Sequence, residues 1–151
     1  HQHIFFGRGT VDPRLGLQVE WATTMVNLTF DSNWSGSVYE NRYDYQGPQT
    51  LSLGLTAAPY FGFERWQFRF GAELVKEFPA QWSGEIAENS GRLDIVPFLG
   101  ANWSVSEAAS LSLTVKRPIV IDTDGGQLEV PLVFLLAGRI SLDPQSDPHK
   151  D

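Results

Sequence analysis

The sequence predicts an all-β chain, and within that class an antiparallel transmembrane β-barrel with about seven or eight strands. Such a barrel is either complete in itself or part of a larger one. Three observations lead there. Apolar and polar residues alternate with period two in one segment after another. The alternating segments are long. Short and long connections take turns along the chain.

The alternation is clearest in Trp66-Gln67-Phe68-Arg69-Phe70-Gly71-Ala72-Glu73-Leu74, where every even position is apolar and every odd one is polar or Gly. In Leu111-Ser112-Leu113-Thr114-Val115-Lys116 the odd positions are apolar. Successive side chains leave a strand on opposite faces, so each segment has one apolar and one polar face. A soluble sandwich turns its apolar face to a second sheet. A membrane barrel turns that face to lipid and the polar one to a wet lumen. Alternation alone fits both.

The elements follow in order. The first strand spans residues 14–22, with Leu15, Leu17, Val19 and Trp21 on one face. The phase slips at Thr23-Thr24-Met25, which marks a tight turn, and the second strand spans 26–36. Residues 37–48 are a polar, tyrosine-rich loop ending in Gly47-Pro48. The third strand spans 49–58 and the fourth 65–78, joined by a short turn. Residues 79–90 form a second long polar loop. The fifth strand spans 91–103 and the sixth 109–119, again across a short turn. Asp122-Thr123-Asp124-Gly125-Gly126 is a turn by composition, and the seventh strand spans 127–142. Residues 1–13 read as an extracellular loop or strand remnant, with His3 to Phe6 the piece of an eighth strand. Residues 14–142 read as the barrel segment. Residues 143–151 read as a charged, disordered tail.

Several strands reach the 9–11 residues that a tilted crossing needs. Short turns at one rim and long loops at the other is the organisation of outer-membrane barrels. Trp21, Trp34, Tyr60, Phe61, Phe63, Trp66, Phe78, Trp82 and Trp103 cluster near strand ends, as interfacial girdles do.

Composition narrows the function. Aromatic content is 13% and charged content only 19%, below the roughly 25% of an ordinary soluble domain. No run approaches the roughly 20 apolar residues of a spanning helix. A net charge of −7 argues against a sequence-independent nucleic-acid binder. With no cysteine, thiolate metal sites, CxxC redox chemistry and disulfides are excluded. The chain opens at His1 without the order of a secretion signal, so it reads as a processed product or a piece of something longer.

Short pieces through most of the chain carry a family resemblance. They are Gly7-Arg8-Gly9-Thr10-Val11-Asp12-Pro13, Asn41 with Tyr43-Asp44-Tyr45-Gln46-Gly47, Ser90-Gly91, Pro118-Ile119, and Gly125-Gly126-Gln127-Leu128. In order and spacing the chain resembles the C-terminal part of a bacterial outer-membrane barrel of the MetA-pathway-of-phenol-degradation, transporter-like family. The resemblance implies an outer-membrane location and a channel or transporter for small solutes, hydrophobic or aromatic ones among them. Two departures stand out. Seven strands is an odd count where even numbers are the rule. The usual terminal aromatic is also missing, with Ile140 and Leu142 in the last outward positions.

On the barrel reading Gln67, Arg69, Glu73, Arg92, Asp94, Lys116, Glu129 and Arg139 line the lumen, where mixed charges set selectivity or pair across strands. Leu53, Phe68, Phe70, Leu113, Leu132 and Phe134 face lipid. Lys76 and Arg117 break the pattern, sitting on the apolar face near long-loop ends. There a cation reaches lipopolysaccharide headgroups while its stem snorkels. His1 and His3 would hold Cu(II) or Ni(II) if His1 is a free native terminus. The plainer reading is a cut end or tag remnant. Without that terminus no cofactor is expected. No Ser or Thr has a nominated His base, and Gly7-x-Gly9 lacks the rest of a dinucleotide fingerprint. The chain is therefore not read as an enzyme. The expected partners are membrane lipid, lipopolysaccharide, a small solute and a second chain supplying further strands, with no nucleic acid. Two alternatives stay open: a structural sheet that docks with or sheathes a partner, and a soluble all-β binding module.

Overall fold

In the computed structural model, which describes residues 11–126 and 129–141, the chain is all-β, with antiparallel sheets and no helix among the described residues. The elements are β1 (Arg14–Ala22), β2 (Val26–Ser35), β3 (Tyr45–Gln46), β4 (Thr50–Pro59), β5 (Trp66–Glu77), β6 (Gln81–Trp82), β7 (Glu85–Ile86), β8 (Arg92–Ser104), β9 (Ala109–Lys116), β10 (Ile119–Thr123) and β11 (Val133–Ile140). The main sheet is eight-stranded, in the order β1-β2-β4-β5-β8-β9-β11, with β10 also on β8. Sequence neighbours pair because each connection at one end is short. At the first of these turns Thr23 accepts from the Met25 and Val26 N–H groups at 3.2 and 3.0 Å. A hydroxyl that satisfies two turn amides fixes the reversal where the alternation slips phase.

The register places period-two residues in complete rows. One row runs Trp21, Leu28, Ala57, Phe70, Leu99, Val115, Phe134, each paired with the next. Every member is apolar. The adjacent row runs Glu20, Thr29, Thr56, Gly71, Phe98, Lys116, Val133, on the opposite face. The apolar face is the open one: Trp21, Phe70, Leu99 and Phe134 are 68%, 51%, 61% and 65% exposed. Across the middle strands the polar face is half-buried, and Thr114 and Gly100 lie buried on it. The apolar side chains therefore find no second sheet to cover them among the described residues.

The sheet ends at β1 and β11, which do not pair with each other. A closed barrel, the expectation from the sequence, is not what the described residues form. They form an open antiparallel sheet.

Two strands differ from their expected bounds. The sixth was expected to stop at Ile119 but runs on to Thr123 as β10. Lys116 pairs with Phe98 and Ile119 with Ile95, so β9 and β10 follow one edge of β8. Between them Pro118 has no N–H to give, and the Arg117 N–H donates to the Pro97 carbonyl at 3.0 Å. A register shift between Val120 and Asp122 bends the end. The seventh strand was expected over 127–142 and spans Val133–Ile140. It pairs only with β9, whose straight ladder ends at Lys116. Glu129 consequently lies off any strand, exposed, beside Arg117, Pro118 and Val120. It is not part of a polar row. Leu132 is likewise exposed, one residue ahead of β11.

The long connections were expected to be plain loops. Instead they build a second sheet, three-stranded, in the order β3-β6-β7. Ser83 and Gly84 join β6 to β7 with φ of 52° and 78°. Two successive positive φ angles are those of a type I′ hairpin turn. Tyr45 and Trp82 pack across this sheet with ring centroids 5.3 Å apart. The Asn89 side chain accepts from the Gly126 N–H at 3.1 Å, so the 78–91 connection also ties to the chain after β10.

Candidate functional site

The polar face of the main sheet gathers the chemistry. Its rows stack Gly16, Asn33, Ser52, Val75, Asp94 and Val120 above Gln18, Asp31, Gly54, Glu73 and Val96. Below them come the Glu20–Val133 row and then Arg69, Gly100, Thr114 and Leu135. Side chains on strands two apart meet over the strand between. Lys116 on β9 donates to Glu73 on β5 at 2.8 Å, and Arg69 on β5 donates to Thr114 on β9 at 2.9 Å. Both bonds cross β8. Such bridges, with the polar side half-buried and the apolar side open, belong to a sheet curled around its polar face.

Glycines make room for the long side chains. A Cβ on Gly54 would lie 1.8 Å from Asp31 Oδ2. One on Gly71 would lie 2.1 Å from the Leu55 carbonyl oxygen and 2.7 Å from the Phe98 ring. One on Gly100 would lie 2.9 Å from Arg69 Nε and 3.1 Å from Thr114 Oγ1. Thus Asp31, Phe98 and Arg69 each lie flat over a glycine of the next strand.

Two pairs of these charges are matched. Glu73 and Lys116 are about a quarter to a third exposed, and the Lys116 ammonium stands 5.7 Å from the Phe98 ring centroid. Arg92 Nε reaches both carboxylate oxygens of Asp94, at 2.8 and 2.7 Å. Asp31 is different: its Oδ2 is buried with no hydrogen-bond partner among the described residues, as is Asn27 Oδ1. Asp31 lines an open trough of about 320 Å³ together with Arg14, Asn33, Ser52, Gly54 and Glu73. This trough could receive a small polar or cationic group. It has no paired general acid and base around a fixed reacting position.

Of the residues singled out by sequence, Gln67, Arg69, Glu73, Arg92, Asp94, Lys116 and Arg139 share the polar face by register. Among the described residues, Glu73 with Lys116 and Arg92 with Asp94 form ion pairs. Leu53, Phe70, Leu113 and Phe134 stand exposed on the opposite face. Phe68 shares that face, half-buried beneath Phe61, Phe63 and Trp66. Lys76 sits there too, in register with Leu51 and Leu93. His1 and His3 lie outside the described residues, and no metal-holding group of three or more His, Cys, Asp or Glu occurs among those described. The sequence did not single out Thr114 and Phe98, whose signal was a glycine opposite each in the polar phase, Gly100 for Thr114 and Gly71 for Phe98; Val96, opposite Glu73, carried no such signal.

Aromatic residues crowd the short-turn end. Trp66 and Trp103 stack at 5.7 Å, and Phe61, Phe63 and Phe68 join them at 6.0 to 6.4 Å.

Set against known protein families, curated proteins and solved structures, the chain has no match.

Proposed function

We propose that this chain forms wall of a bacterial outer-membrane barrel that passes small solutes along its polar face. One observation carries the reading: the outward row from Trp21 to Phe134 is apolar on every strand it crosses, and its large members are open to the surroundings. A monomer in water rarely exposes an apolar patch beyond a few hundred Å². Lipid is the surrounding that suits such a band.

The dimensions agree. On β5 the outward residues run from Trp66 to Lys76. Ten residues of strand measure about 33 Å, or about 25 Å of height at the roughly 40° tilt usual for such barrels. An aromatic end and a cationic end then meet the two interfaces, with Lys76 and Arg117 at the level of lipopolysaccharide headgroups. On the inner side the matched charges and the Asp31 trough favour small solutes. The family resemblance adds hydrophobic or aromatic compounds to that class. No catalytic role is proposed.

The test is reconstitution of the full chain in the assembly in which it is extracted from its membrane. It should require detergent in purification and add stepwise conductance to a planar lipid bilayer. Chain that stays monodisperse without detergent would overturn the membrane reading. The second reading is a structural sheet that docks with a partner, and its support is the pair of open edges at β1 and β11. Detergent dependence with no conductance would favour it.

A further inference from the structure

The small sheet turns one row of residues toward the rim of the main sheet. Gln46 pairs with Gln81 and Gln81 with Ile86, so these three share a face. Tyr45, Trp82 and Glu85 share the other. Across from the first row stand Gln49, which precedes β4, and Phe78 and Pro79, which follow β5. The Phe78 N–H donates to the Gln49 carbonyl at 2.8 Å and ties these two ends together. With Gly47, the six residues line a cleft of about 260 Å³. Further bonds hold its walls. The Ser83 N–H donates to the Asp44 carbonyl at 2.6 Å, and the Ala80 N–H to Ser90 Oγ at 3.2 Å.

We propose that this cleft binds one neutral saccharide ring. The inference goes beyond solute passage and stands without the membrane reading. The lining carries three amides and no charged residue, in a chain of net charge −7. An ionic ligand would leave water here without a counter-charge, which costs far more than moving a neutral one. An amide brings both N–H donors and a carbonyl acceptor, which matches hydroxyls that donate and accept at once. Gln46 gives one N–H to the Ser37 carbonyl at 3.0 Å, which fixes the amide and leaves its oxygen to accept. The Gln49 and Gln81 side-chain amides bond to no other described residue. Phe78 and Ile86, 42% and 69% exposed, supply an apolar wall. Such a wall suits the C–H bonds that one side of a pyranose presents, and an aromatic face attracts them. Ligand pockets usually run about 300–1,000 Å³, so this cleft takes one ring and not a long chain.

The test uses the full chain as extracted, kept in a detergent without a sugar headgroup or, where none is needed, in buffer. Methyl glucoside and methyl galactoside are titrated in turn, and bound sugar is read by saturation-transfer NMR. At least one should bind saturably at millimolar concentration. Gln49→Ala and Gln81→Ala should each weaken that binding about 2- to 10-fold, the loss of one hydrogen bond. Glu85→Ala, on the far face of the small sheet, should leave it unchanged. With the unsubstituted chain, glucuronate should bind more than about tenfold more weakly than methyl glucoside, because its carboxylate finds no counter-charge. A lipid glycoside of the same sugar separates two sources of the ring. Strong displacement assigns a glycolipid headgroup and none assigns a free saccharide, and both support a saccharide site. No saturable binding of either methyl glycoside would overturn the proposal. So would binding that the glutamine variants leave untouched, or glucuronate bound as well as methyl glucoside. Detergent dependence and conductance decide the membrane reading separately, and neither bears on this cleft.

Discussion

Gly71 and Gly54 sit in neighbouring polar rows and make opposite demands on a substitution. A Cβ at Gly71 meets the backbone carbonyl of Leu55, which cannot move without shifting β4. A Cβ at Gly54 meets only the far end of the Asp31 side chain, which can swing away. Gly71→Ala should therefore cost about 1–3 kcal/mol as overpacking, and Gly54→Ala clearly less. Urea titration in detergent, followed by tryptophan fluorescence, checks the order. On the other face, Phe70→Arg should cost about 2–4 kcal/mol if the position lies near midplane. A neutral result there would count against lipid contact. The Glu73–Lys116 pair is partly exposed, so its coupling in a double-mutant cycle should stay below about 1 kcal/mol. Its effect on conduction should be larger. Glu73→Gln leaves Lys116 without its carboxylate and should move ion preference toward anions, read as a shift in reversal potential.

At the scale of elements, the strands with unbroken alternation were legible. β1 and β5 come out within a residue of their sequence bounds because parity and turn chemistry agree there. Misreadings arose where a residue's local meaning and its tertiary context diverge. The sixth strand reads as ending at Ile119, yet the edge of β8 carries the chain on to Thr123. The stretch after Gly125-Gly126 reads as strand, yet the partner ladder on β9 stops at Lys116, so pairing waits for Val133. The polar face was legible as a face, since parity alone assigns it. The bridges from Arg69 to Thr114 and from Lys116 to Glu73 were not, because they depend on how adjacent strands are staggered. Ser83-Gly84 was a readable hairpin turn, but two-residue strands carry too little alternation to mark. That small sheet gives an element-level prediction. Trp82→Ala removes the ring packed on Tyr45 and should loosen the long connections without unfolding the main sheet. Hydrogen exchange should quicken at β3, β6 and β7 and stay unchanged in β4 and β5.

For the whole molecule, the unusual fact is that the two faces of the main sheet have exchanged their ordinary surroundings. In a water-soluble protein the apolar face is covered and the polar face is wet. Here the middle strands bury Thr114 and Gly100 on the polar side and leave Leu55, Phe70 and Leu99 open on the other. Lipid on the apolar side removes that contradiction. Leu55 and Thr56 offer the most direct comparison, being adjacent on β4 and at one height on opposite faces. In a background whose five tryptophans are replaced by phenylalanine, Leu55→Trp and Thr56→Trp are each reconstituted in vesicles containing lipids brominated along the acyl chain. The Leu55→Trp fluorescence should be strongly quenched and the Thr56→Trp fluorescence little. Equal quenching of both, or none of either, would contradict lipid on the apolar side.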